Sequence, residues 1–356
     1  MARILAIRFS ALGDVAMVIP VLQSFAKRYP AHEITLLSRP GMGKLCGHLP
    51  DNVHFRAVNL DEYKGVRGLW RLYKELRAEK YDAVADMHDV LRTKVLRIMF
   101  WVGGTSVAHI IKGRWRRYAL TCRYNKKRHS LKSSPERYAE VLGRLKYPIE
   151  IECHSIFGEE LPSLPPEMLD MAGPHDVNWV GIAPFARHKG KIYPMSLLDE
   201  VIGLLSASGM YRMFLFGFGE TEALACRTLQ EKWPHVISLV GRFDMERELR
   251  LMAHLDVMLT MDSGNMHLAA LVQTPTVSIW GATHPIAGFG GLQAPGSEQV
   301  QIPMTCRPCS VYGNKPCYKK QYPCLYGISP QVVVESVRNV CEQKDSPKNS
   351  YETSVG

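Results

Sequence analysis

Short, almost wholly apolar runs alternate with amphipathic segments along this chain, and the pattern occurs twice. Residues 3–9, 33–38, 53–58, 82–87 and 106–111 read as strands, with helical patterns at 14–28, 65–79 and 90–102 between them. After a helical segment at about 135–146, residues 158–177 collect Pro162, Pro165, Pro166, Gly173 and Pro174, a breaker-rich stretch without periodicity. The rhythm then restarts, with strands at 179–183, 213–216, 237–240, 257–260 and 276–279 and helices at 195–208, 220–232, 245–254, 264–272 and about 330–343. Strands that lack a polar alternation are buried on both faces, which means parallel sheets covered by helices. At 356 residues the chain exceeds one ordinary core. The expectation is α/β, two Rossmann-like doubly wound domains at 1–172 and 173–343, with a polar, disordered tail at 344–356.

Other classes are narrowed by what the chain lacks. The most apolar stretch, 95–111, is interrupted by Arg97 and by Gly103-Gly104, short of the roughly 20 apolar residues that cross a bilayer. Residues 1–9 are too short for the apolar region of a secretory signal. The expectation is a cytoplasmic protein whose nine cysteines stay reduced unless a metal holds some of them. The formal charge of +10 is concentrated. No acidic residue occurs between Asp89 and Glu136, whereas Lys112, Arg114, Arg116, Arg117, Arg123, Lys126, Lys127, Arg128 and Lys132 crowd that interval. Such a block is either a solvated loop or a contact for something anionic: nucleic acid, phosphorylated lipid or a membrane surface.

Two doubly wound domains in series create a cleft at the carboxyl ends of their strands, where open α/β folds bind ligands, so the loops leaving the strands carry the candidates. Ser10-Ala11-Leu12-Gly13-Asp14 follows the first strand. Gly13 permits a tight turn, and Asp14 is either a carboxylate favoured by the helix dipole or a base that takes a proton from an acceptor hydroxyl. The segment 183–194 holds Arg187, His188, Lys189 and Lys191 in a strand-to-helix loop suited to a diphosphate. Gly217-Phe218-Gly219 begins like a dinucleotide fingerprint, but Glu222 stands where a third glycine belongs. A carboxylate there accepts hydrogen bonds from a ribose or simply starts a helix. In Thr260-Met261-Asp262-Ser263-Gly264-Asn265-Met266-His267, Asp262 or Ser263 can cap a helix. The same glycine-containing turn also offers free amides to a phosphate, with His267 one turn on.

Taken in order, four of these features resemble glycosyltransferase family nine, the bacterial heptosyltransferases that build the lipopolysaccharide core. They are S-A-L-G-D at 10–14, K-x-x-P at 191–194, D-S-G-x-x-H at 262–267 and G-A-T-x-P at 281–285. The resemblance implies the GT-B fold, two such domains facing across a cleft. It makes Asp14 the catalytic base, places Lys191 on the donor phosphates, and places Glu222 (or Glu220, if the loop is counted differently) on the ribose. It also assigns Asp262, Ser263, Gly264 and His267 to the nucleotide and sugar. Phe243 is a positional candidate for packing on the nucleobase.

The implied donor is ADP-heptose and the implied acceptor an anionic lipid-linked glycan. Ser10, Gly13, Arg114, Arg116 and Arg117 are candidates to hold that acceptor, and the basic block could rest on the inner leaflet. No D-x-D triplet is present to hold a metal–diphosphate complex, so transfer is expected to be inverting, without metal or cofactor. Cys306, Cys309, Cys317 and Cys324 begin with a zinc-like spacing, but the later gaps are loose. They are read as either reduced thiols or a structural zinc site. Two other readings remain at this stage: transfer of another nucleotide sugar to a cell-surface glycan, and, from the charge alone, nucleic-acid binding. The second lacks any recognised motif, and no nucleic-acid partner is expected.

Overall fold

The computed structural model describes residues 1–345, so all but the first two residues of the predicted tail lie outside the described residues. Strands β1 (Arg3–Ile7), β2 (Glu33–Ser38), β3 (Val53–Ala57), β4 (Ala83–Asp86) and β5 (Ser106–His109) form a parallel sheet in the order β3-β2-β1-β4-β5. Helices α1 (Leu12–Ala16), α2 (Ile19–Arg28), α3 (Gly65–Ala78), α4 (Leu91–Val102), α5 (Arg114–Thr121) and α6 (Ser134–Arg144) belong to this half. After the connecting α7 (Pro166–Ala172), the second half carries β6 (Asn178–Ala183), β7 (Tyr211–Leu215), β8 (Val236–Ser238), β9 (Val257–Met261), β10 (Thr276–Ile279) and β11 (Glu298–Val300). These pair in parallel in the order β11-β10-β9-β6-β7-β8. Around them lie α8 (Met195–Ala207), α9 (Glu220–Lys232), α10 (Met245–His254), α11 (Gly264–Leu271), α12 (Pro323–Tyr326) and α13 (Pro330–Asp345).

The inner strands β1, β2 and β4 are buried on both sides, as their apolar runs require, whereas the edge strands β3 and β5 are largely exposed. Leu5, Ile7 and Val84 pack beneath Leu69 and Leu72 of α3 and Leu96 and Phe100 of α4. On the opposite face Ile4 and Ala6 meet Val21, Leu22 and Phe25 of α2, and this core continues into Trp179, Phe214 and Met258 of the second half. In each sheet the chain reverses direction beside one strand: β1 sits between β2 and β4, and β6 between β7 and β9. The crevices at those reversals are where side chains from two loops converge on a ligand.

Four local features differ from the sequence expectation, each for a physical reason. The single helix expected at 14–28 is two, α1 and α2, because Pro20 has no N–H and its ring crowds the carbonyl four residues back; it sits instead in the first turn of α2. α7 forms inside the proline-rich stretch for the same reason, with Pro166 opening it. α5 is strongly basic and buries only Leu120 and Thr121, so it shows no apolar stripe to read. β11 spans three residues, too few for a period to register.

Candidate functional site

The loops after β1, β6 and β9, the strands at the two reversals, open into one cavity of about 1400 Å³ between the halves. Ser10, Gly13, Asp14, Lys191, Glu222, Asp262, Ser263, Gly264 and His267 all line it. α1 and the first turn of α11 touch beside it. A methyl on Gly13 would lie 2.8 Å from Cδ2 of His267 and 3.2 Å from Cα of Gly264, so glycine at position 13 is what allows the approach.

Asp14 stands in the first turn of α1 and is held through one oxygen. Arg8 Nη2 lies 2.5 Å from Oδ2, and the Ala11 amide donates to the same oxygen at 3.3 Å. Oδ1 has no hydrogen-bond partner among the described residues. Arg8 is buried. Burial opposes its charge, but Tyr138 and Asp14 more than restore it, and its pKa is raised. His88 also lines the cavity, and burial, with Arg8 and Lys112 nearby, pushes it down to about 3. Neither Arg8 nor His88 stands out in the motif reading. The signal for Arg8 is a charge placed directly after an otherwise apolar strand.

The facing wall is cationic and amide-rich. Lys191 Nζ lies 2.8 Å from Oδ2 of Asp262, which is 2% exposed, an ion pair not aligned as a hydrogen bond. The lysine stem rests against Gly313, where a Cβ would come within 2.7 Å of Cγ. Ser263 occupies the N-cap position of α11 but makes no capping bond; its hydroxyl lies 3.3 Å from that of Thr260. The first amides of α11 therefore have no side-chain acceptor, leaving positive dipole and donors toward the cavity. His267 is buried, which lowers its pKa against the pull of Asp262 and Asp14, and its Nδ1 has no partner among the described residues.

Glu222 turns back to accept the Phe218 amide at 2.7 Å, and Gly217 leaves room for it. Glu220 also lines the cavity and is exposed. Val240, Phe243 and Met245 line the same side, with Glu248 on α10. Burial and the nearby Asp244 push the Glu248 carboxyl up to about 8.

The basic block divides. Arg117 lines the cavity and donates to Tyr312 at 2.7 Å. Lys112 also lines it, bonded to the Asp89 carbonyl at 2.8 Å. Lys126 donates to the carbonyls of Cys306 and Pro308, and Arg128 to those of Met304 and Thr305. This part of the block ties the two halves together, Lys126 half-buried and Arg128 exposed. Arg114 and Arg116 are exposed and do not line the cavity.

Cys306, Cys309, Cys317 and Cys324 are free thiols, and among the described residues no three His, Cys, Asp or Glu side chains are arranged to hold an ion. Burial pushes Cys324 up to about 11 and also raises Cys309, so both stay neutral. The loop also braces the lysine: Gly313 presses on Lys191, and Tyr312 and Asn314 reach the cavity.

Two doubly wound units facing across one cleft, with a carboxylate from one and an uncapped helix terminus from the other, have the GT-B architecture. The chain belongs to glycosyltransferase family 9, the heptosyltransferase family, whose sequence profile matches residues 69–322. It is 25% identical over 324 residues to lipopolysaccharide heptosyltransferase 1 of Escherichia coli O18:K1:H7, an alignment covering 84% of this chain and 94% of that one. A match to lipooligosaccharide heptosyltransferase 2 of Campylobacter jejuni is 28% identical over 140 residues, 38% of this chain and 43% of that protein. The solved structure of E. coli ADP-heptose LPS heptosyltransferase II superposes with a TM-score of 0.69 at 18% identity, covering 97% of this chain and 100% of that one. Among the described residues no helix is long and apolar enough to cross a membrane.

Proposed function

We propose that this glycosyltransferase moves a heptose from ADP-heptose to a hydroxyl of an anionic, lipid-linked lipopolysaccharide core acceptor. The unit at 1–172 holds the acceptor and the unit at 173–343 the donor. The observation that carries this reading is the convergence of Asp14 from one half with Lys191, Asp262 and the uncapped start of α11 from the other.

The acceptor hydroxyl attacks the anomeric carbon from the face opposite the diphosphate, forming the new C–O bond as the carbon–oxygen bond to phosphate breaks. Asp14 takes the hydroxyl proton on Oδ1, with Oδ2 pinned by Arg8 and the Ala11 amide. ADP leaves with the bonding electrons. Lys191 and the α11 amides meet that charge in a site whose partners are already in place. His267, neutral through burial, supplies an unpaired ring nitrogen to a sugar hydroxyl or phosphate. Glu222 is assigned to the ribose and Phe243 to the nucleobase, both on the cavity wall. Inversion follows from a single displacement, and no metal is invoked.

The support for ADP is the agreement of this donor wall with a family whose E. coli relative is described by its ADP-heptose donor. Ser10 and Arg117, on the cavity wall, suit an acceptor carrying phosphates or acidic sugars. Arg114 and Arg116 can reach that acceptor only beyond the cavity mouth. Peripheral contact with the cytoplasmic face of the inner membrane belongs to the same reading. Thermal-shift titration with ADP-, UDP- and GDP-sugars tests the donor: selective stabilisation by the ADP compound supports it, and stabilisation by a UDP- or GDP-sugar alone overturns it.

A further inference from the structure

α4 carries two apolar faces. Leu96 and Phe100 are buried against the first sheet. Leu91, Ile98, Trp101 and Val102 look outward, with Trp101 67% exposed. A helix that is apolar on opposite faces is ordinarily enclosed on both; here none of the described residues covers the second. The neighbouring α3 extends the same surface. Trp70, 49% exposed, packs on Tyr73 with ring centroids 5.3 Å apart, Tyr73 meets Phe100 of α4 edge-on at 5.1 Å, and its hydroxyl closes over Gly103 at the end of α4.

Charge on this flank is predominantly basic. α3 bears Arg67, Arg71, Lys74 and Arg77 against Glu75 alone, and Glu75 is engaged by the Tyr63 hydroxyl. α4 bears Arg92, Lys94 and Arg97 and no acid. Arg97 pairs with Asp86 and Lys94 with Asp89, but Arg67, Lys74 and Arg92 form no ion pair among the described residues. Lys112 bonds the Asp89 carbonyl at the start of α4, which brings the basic α5, with Trp115 85% exposed, to the end of the same flank.

We infer that the α3–α4 face is a membrane-docking surface, seating Trp70, Ile98, Trp101 and Val102 in the headgroup region of an anionic bilayer with the surrounding arginines and lysines on its phosphates. Deepening the lipid-linked-acceptor reading on which it rests, this moves the membrane contact from the basic block at 112–132, much of which is committed internally, to two helices outside it. Exposed tryptophans beside basic side chains match the chemistry of a bilayer interface. A symmetric pairing of two copies through this face would set arginines and lysines against one another. α4, about 18 Å long at the usual rise per residue, lies along the outside of the unit, so docking leaves the cleft clear.

The test is co-sedimentation of the full chain with vesicles of phosphatidylethanolamine and phosphatidylglycerol, and with vesicles of phosphatidylcholine alone. The wild type should bind the anionic vesicles, weaken as salt rises, and show tryptophan quenching by brominated lipid. The Trp70→Ser, Ile98→Ser, Trp101→Ser triple variant should lose vesicle affinity at least about tenfold, with unchanged ADP affinity and unchanged transfer to a delipidated acceptor. ADP affinity serves as the folding control, and quenching in the wild type needs no variant. Absence of wild-type binding and quenching would overturn the proposal. So would a folded triple variant that binds like the wild type, or a face that drives self-association without binding vesicles. A different donor would appear in the nucleotide titration and leave the vesicle result intact.

Discussion

Gly13→Ala is the sharpest perturbation of the seam between the halves. The new methyl would stand 2.8 Å from Cδ2 of His267 and 3.2 Å from Cα of Gly264, whereas carbon atoms rest at about 3.5–4.0 Å. The deficit of roughly 0.7 Å falls on a buried ring and on backbone, neither able to swing aside, so α1 and α11 must separate. Overpacking of this kind costs about 1–3 kcal/mol, a fall in Tm of several degrees for a protein of this size. The larger consequence is functional. Asp14 is the next residue along α1, and the amides of α11 form the other side of the contact. A misplacement near 1 Å between reacting groups lowers the rate by about a hundredfold. Steady-state kinetics should therefore show kcat falling far more than the melting temperature implies, with ADP affinity little changed, because the donor wall lies within one half. Gly47→Ala, where a Cβ meets nothing within 4 Å, should leave both unchanged. Wild-type kcat and stability in Gly13→Ala would refute the tight contact.

Lys191→Met should weaken ADP binding by about 10²-fold or more and, by leaving Asp262 buried without its cation, cost about 3–5 kcal/mol in urea denaturation. Adding Asp262→Asn should restore much of the stability but not the affinity; equal recovery of both, or of neither, contradicts the pairing. Glu248 gives a pH prediction. Its carboxyl is held up to about 8 by burial first and Asp244 second, so the folded protein retains a proton the unfolded chain releases near 4.5. The stability this provides is complete below that value and is lost as pH rises through 8. Glu248→Gln cannot ionise, so its Tm relative to the wild type should climb between about pH 4.5 and pH 8 and level off above; a constant difference would show that Glu248 is not buried in its acid form.

Much of this architecture is written in apolar runs, because a strand buried on both faces leaves a compositional trace that no tertiary context erases. The parallel pairing and the residues lining the cleft follow from it, since loops at the carboxyl ends of such strands have one place to converge. What escapes the sequence depends on contacts made elsewhere. Pro20 splits a helix that periodicity reads as one. α5 has almost no buried stripe. Arg8 acquires its role only when the chain folds Asp14 back over it. The loop that carries the four cysteines also presses Gly313 on Lys191, a contact that their spacing does not announce. The outward face of α4 left a trace, the apolar stretch at 95–111, but composition alone could not tell a face turned to the core from one turned away.

The central claim is that Asp14 takes the acceptor proton while the opposite half holds the diphosphate. Asp14→Asn keeps the side chain's size and removes its basicity, so calorimetric titration with ADP and a transfer assay on the same preparation separate the two functions. The account predicts ADP affinity close to wild type and transfer reduced by about 10²–10⁴-fold. Wild-type turnover, or a loss of ADP affinity large enough to explain the lost transfer, would contradict it.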